Sequence, residues 1–207
     1  MAIALDNNLV ATIVSTSTNT VSYTTTGSNL YLVVGTLIQG SFTCTGVTYN
    51  GVAMTQLTSV DASVVSGGET NYLFGLANPA SGAHNIVASF SGATTNAVLA
   101  TSYTGAQQTT AVEASNTSAS SGTISVTTST NNDWLVGFAR AGGNTTAGSN
   151  TTIRGAASNI SMMDTNAAQT PAGAYSLNFT GTGGNVSQAI ALKPFSATTN
   201  STFLSFM

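Results

Sequence analysis

The residues able to do chemistry are few and far apart. The chain of 207 residues has one histidine, one cysteine, three basic and six acidic residues, so that 4% of it is charged, where about 25% is usual. His84 lies within 82-GAHNIVASF-90, which reads as an ordinary strand, and no Ser-His-Asp relay is organised around it. Zinc needs clustered Cys and His, and Cys44 and His84 have no short spacing. Cys44 has no disulfide partner and is expected to be a buried, unreactive thiol. Glycoside hydrolysis needs two positioned carboxylates. The six available, Asp6, Asp61, Glu69, Glu113, Asp133 and Asp164, are scattered, and nothing in their spacing predicts a pair. Asp133, just before Trp134, is expected to serve the turn at a strand entrance. The oxygen-rich runs 6-DNN-8 and 131-NND-133 lack the spaced acidic pattern of a calcium loop. The glycines of 66-SGG-68 and 181-GTGG-184 read as turn residues. No catalytic residue, cofactor or metal site is assigned.

Charge narrows the partners further. With Arg140, Arg154 and Lys193 as the basic residues and a net charge of −3, the chain cannot neutralise a row of phosphates. Nucleic acid and anionic membrane surfaces are therefore not expected as partners. The longest strongly apolar run, 30-LYLVVGTLI-38, is too short to span a bilayer as a helix. The start, 1-MAIALDNNLV-10, lacks the basic and long apolar regions of a secretory signal, which suits synthesis in a reducing cytosol.

The elements that position these residues are strands. Period-two alternation recurs, as in 123-TISVTT-128 and 175-YSLNFT-180, and marks half-buried antiparallel strands. Two runs, 30-LYLVVGTLI-38 and 133-DWLVGFA-139, are apolar on both faces and are placed as central strands covered on both sides. Asn50-Gly51, between 47-VTY-49 and 52-VAM-54, is the dipeptide of a two-residue hairpin turn. Strands are expected near 9–14, 18–25, 30–38, 44–49, 52–59, 70–77, 84–91, 96–104, 110–116, 122–128, 133–140, 151–155, 173–180 and 185–193, with almost no helix. The fold class is an all-β antiparallel β-sandwich.

A weak internal two-fold repeat runs through the chain. The segment 21-VSYTTTGSNLYLVVG-35 aligns without gaps on 124-ISVTTSTNNDWLVGF-138, and 88-ASFSGATTNAVLA-100 aligns on 177-LNFTGTGGNVSQA-189. The pseudo-repeats cover about 18–105 and 121–194. They are expected to form one domain, 1–194, because neither half alone buries much apolar area. Residues 195–207 form a tail in which Phe203, Leu204, Phe206 and Met207 follow a polar linker. Apolar side chains at a chain end need a cover, so these four are the candidate assembly contacts, either with a neighbouring subunit or folded back on the sandwich.

The succession "GSNLYLVVG", "GVTYNGVAMTQLT", "NYLFGLANPASGAHNIVASFSG" and "AVLATSYTGAQQT" resembles a β-sandwich domain found in virion structural proteins of phages and prophages and in bacterial surface proteins. The likeness covers roughly residues 20–110 and continues more faintly to Lys193. It implies a jelly-roll-like sandwich with no catalytic residues to carry over. It also implies a structural or adhesive role in the virion, of which a capsid decoration or cement protein is the first expectation. The partners would be further copies of the chain, as a homo-oligomer, and the major capsid or another virion protein. The alternative is a carbohydrate-binding or adhesin module, with glycan as partner and Tyr49, Tyr72, Tyr103 or Trp134 as stacking surfaces.

Overall fold

The computed structural model describes residues 1–157 and 159–196. Every regular element in it is a strand: β1 Ala4–Thr25, β2 Tyr31–Ile38, β3 Cys44–Tyr49, β4 Val52–Ala53, β5 Thr55–Asp61, β6 Thr70–Ala77, β7 Gly82–Thr104, β8 Val112–Ser118, β9 Thr123–Thr127, β10 Trp134–Ala141, β11 Thr146–Ala147, β12 Thr152–Ala157, β13 Ile160–Asp164, β14 Ala174–Thr180 and β15 Asn185–Leu192. All pairings are antiparallel.

The first half is organised by a long ribbon. β1, of 22 residues, pairs with β7, of 23, along nearly their full lengths. On the other edge of β7, residues 86–90 pair with β3 and residues 96–103 pair with β2. Bulges in β1 near Leu9/Thr12 and Thr16/Thr18 take up the bend between the two parts. The ribbon thereby contributes to two sheets. One runs β1–β7–β2–β6–β5 and the other β1–β7–β3–β4. This is jelly-roll connectivity, with apolar residues of the two sheets meeting between them: Val21, Tyr23, Val47, Tyr49, Ile86 and Phe90 against Leu32, Val34, Ile38, Phe74, Val98 and Ala100.

The second half repeats the plan with shorter strands. One sheet runs β8–β15–β10–β13–β12 and the other β9–β14–β11, enclosing Ile124, Val126, Leu135, Ala139, Met163, Leu177, Phe179 and Ala191. By their places in the sheets, β8, β15, β10, β13 and β12 correspond to β1, β7, β2, β6 and β5. Each repeat thus builds its own pair of sheets.

The five-stranded sheets of the two halves pack face to face, which explains the runs that are apolar on both faces. In β2, Tyr31, Val33 and Leu37 point to the other half while Leu32, Val34 and Ile38 point into their own sandwich. In β10, Trp134, Val136 and Phe138 face the first half and Leu135, Ala139 and Ala141 face inward. The packing is related by a pseudo-two-fold axis: β1 lies beside β12, and its counterpart β8 lies beside β5. Gly35 and Phe138, which align in the repeat, face each other across this seam. A Cβ on Gly35 would come within 2.6 Å of the Phe138 ring.

The hairpin turn is formed as expected. Asn50 and Gly51 have φ of 51° and 75°, the left-handed values of a two-residue turn. A Cβ on Gly51 would meet no atom within 4 Å, so Gly51→Ala tests backbone strain alone. The expected cost is about 1–2 kcal/mol, read as a lower urea midpoint with unchanged slope.

Candidate functional site

Five of the six acidic residues, all but Asp133, accept hydrogen bonds from within the chain. Asp6 accepts from Thr26 Oγ1 at 2.6 Å and from Ser102 Oγ at 2.7 Å. Asp61 accepts from the backbone N and hydroxyl of Ser63, and these bonds lower its pKa. Asp164 takes Tyr103 OH at 2.9 Å and Arg154 Nε at 2.8 Å, and Arg154 also donates to Asn166 Oδ1. Glu69 accepts a two-pronged contact from Arg140, Nε to Oε1 at 2.5 Å and Nη2 to Oε2 at 3.0 Å. Arg140 follows Val136 and Phe138 on the seam face of β10, so this buried ion pair joins the two halves.

Glu113 and Asp133 are the one acidic pair brought together. Glu113, half-buried on β8, accepts from Ser129 N at 2.6 Å, Ser129 Oγ at 2.8 Å and Thr130 Oγ1 at 2.8 Å. Asp133 leads into β10 and is 0% exposed, with no donor group in reach of either carboxyl oxygen. Burial, then the hydrogen bond and charge of Glu113, push Asp133 up to about 8, against the pull of Lys193. Burial also works to raise Glu113, but hydrogen bonds from Asp133, Ser129 and Thr130 outweigh it and hold it at about 2. Two carboxyls with widely separated pKa values are the mark of an acid and a base. These two, however, are in hydrogen-bond contact, whereas glycosidase carboxyls stand about 5 Å or more apart to admit the sugar. A fully buried Asp133 also has no access to substrate. Its place at a strand entrance is as expected, while its complete burial was not foreseen.

The other residues singled out in the sequence fall into place as structure. His84 Nε2 lies 3.1 Å from Ser81 O, and the ring meets Tyr49 edge-on with centroids 5.6 Å apart. Cys44 is buried, and burial pushes its thiol up to about 11, away from reactive thiolate chemistry. Tyr49, Tyr72, Tyr103 and Trp134 are 0%, 7%, 0% and 6% exposed, so none of them offers a face to a sugar. Among the described residues no three His, Cys, Asp or Glu side chains converge on a metal position. Phe203, Leu204, Phe206 and Met207 lie outside the described residues.

The strands also carry a system of neutral caps, some buried and some exposed. Among the described residues β1 pairs with β7 alone. Its carbonyls at Thr12, Thr16 and Thr24 accept from the side-chain amides of Asn19, Asn96 and Asn7 at 3.0, 2.7 and 2.7 Å. Ser125 O on the edge strand β9 accepts from Asn116 at 2.9 Å, and Ser176 O on β14 accepts from Asn150 at 3.1 Å. Open edges invite pairing with other chains, and lysine is the common deterrent. Here asparagine amides occupy acceptors on these strands without adding charge. No family model, no curated protein and no solved structure matches this chain.

Proposed function

We propose that the protein is a non-enzymatic structural subunit of a bacteriophage virion, a capsid decoration protein that works through contacts with its own copies and with the capsid lattice. The observation that supports this reading is the placement of the charges. Asp6, Asp61, Glu69, Glu113 and Asp164 accept hydrogen bonds from within the chain, Asp133 is fully buried, and the outward sheet positions are left to Thr, Ser and Asn, as at Thr123, Ser125, Ser176 and Asn178. Such a surface is suited to close packing, because hydroxyls and amides form contacts without the cost of desolvating ions.

Light scattering and electron micrographs of the same sample test it. The expected result is a closed oligomer or regular polymer whose mass responds little to added salt, since screening acts on charges and this chain has few. Deleting residues 203–207 is expected to weaken assembly or particle binding while the strand signal in circular dichroism is kept. A strict monomer that ignores phage particles and binds a glycan array would overturn the proposal in favour of an adhesin module.

A further inference from the structure

Asp133 presents a fully buried carboxyl with no donor, and the hydrogen bond and charge of Glu113 act on it, while Glu113 itself holds Ser129 and Thr130 just upstream. Two bare negative charges in that place would repel each other with little water to screen them, so the pair must keep a proton. We infer that Glu113 and Asp133 share one proton and form a pH-dependent latch holding the segment 128–133 against β8 beside the seam. The latch has a lever on that seam. Trp134, the next residue, packs edge-on against Tyr103 of the first half with ring centroids 5.9 Å apart. Asn132 N and Gln169 N close the other side through Gln169 O and Asp133 O, each at 2.8 Å.

The charged groups acting on Asp133 are Glu113 from β8 and Lys193 from the end of β15. Lys193 Nζ contacts Thr110 Oγ1 at 3.3 Å, and Asp164 on β13 is taken up by Tyr103 and Arg154. The signs of the two members are opposite. Asp133 binds its proton more tightly folded than unfolded, so its contribution is full below its unfolded pKa of 3.8 and is lost as pH rises toward about 8. Glu113, held low in the fold, contributes above its unfolded value of 4.5 and loses that contribution as pH falls toward about 2. The pair therefore favours mildly acidic conditions, and with one histidine and six acidic groups in the chain the competing titrations are few.

Urea unfolding of the full chain at a series of pH values provides the test. From about pH 5 to about pH 8 the unfolding equilibrium constant is expected to rise by up to about tenfold per pH unit. Asp133→Asn, which carries no titrating proton, is expected to remove that slope. Should the variant fail to fold, infrared spectra of the wild type take its place: a neutral carboxylic acid band persisting at pH 7 and fading above pH 8 supports the latch. A wild-type stability that is flat or rises over this window, or the absence of that band, overturns it. So does a gain in stability on adding calcium at pH 9 that Asp133→Asn abolishes, which would show a cation, not a proton, between the carboxyls.

Discussion

Replacing Arg140 with alanine is expected to destabilise the protein by about 3–5 kcal/mol, because it strands a buried carboxylate. The side chains of Arg140 and Glu69 are 6% and 0% exposed. Arg140 makes two contacts with Glu69 and a third with the Ala141 carbonyl. Without the guanidinium, Glu69 retains only Gln39 Nε2 at 3.5 Å. Glu69→Ala should cost a similar amount for the mirror reason. The decisive variant is the double replacement Arg140→Met with Glu69→Leu, which removes both desolvation penalties and is expected to recover most of the loss. Adding the single variants Arg140→Met and Glu69→Leu closes a double-mutant cycle with wild type, and denaturant unfolding of those four proteins gives the coupling energy. Single variants within about 1 kcal/mol of wild type would mean that water reaches the pair and that the seam is looser than described.

Phe138→Ala is expected to cost about 3–5 kcal/mol, the usual range for emptying a large aromatic site in a core. Phe138 is 0% exposed and fills the space left by Gly35 on the facing sheet. The reciprocal change shows the same fit from the other side. In Gly35→Ala the new Cβ would lie 2.6 Å from Phe138 Cδ2 and 2.9 Å from Met162 Sδ, an overpacking expected to cost about 1–3 kcal/mol. Combining Gly35→Leu with Phe138→Ala moves bulk across the seam and should cost less than the sum of its parts. Additive costs in a double-mutant cycle would show that the two positions do not share one space.

Much of this fold is legible in the sequence, and the reasons differ by element. The hairpin at Asn50-Gly51 is local, so local chemistry reveals it. The two-sided apolar character of β2 and β10 marks strands covered on both faces, although a sequence does not say that the second cover is the other half of the same chain. β1 and β7 read as two strands each because bulges near Thr16/Thr18 and the bend interrupt the alternation without ending the pairing. β13, 160-ISMMD-164, is not legible: buried on both sides, it shows no alternation, and methionine is a weak strand signal. β11, of two residues, carries no periodicity at all. The charge pairs were invisible for another reason. Glu69 and Arg140 are 71 residues apart and meet only because the two repeats dock. Glu113 and Asp133 meet because β8 and the entrance to β10 lie against the same segment, which no spacing rule encodes.

The asparagine caps also set how this protein would age. Hydrolysis of a side-chain amide turns asparagine into aspartate, exchanging the NH2 donor for a carboxylate that can only accept. At Asn7, Asn19, Asn96 or Asn116 the new carboxylate would face the carbonyl it formerly satisfied, and that contact would change from a bond to a repulsion. Each such event adds one negative charge and frees one backbone acceptor on β1 or β9. Asn7 and Asn116, which are not buried as Asn19 and Asn96 are, are the caps where such chemistry would first open an edge.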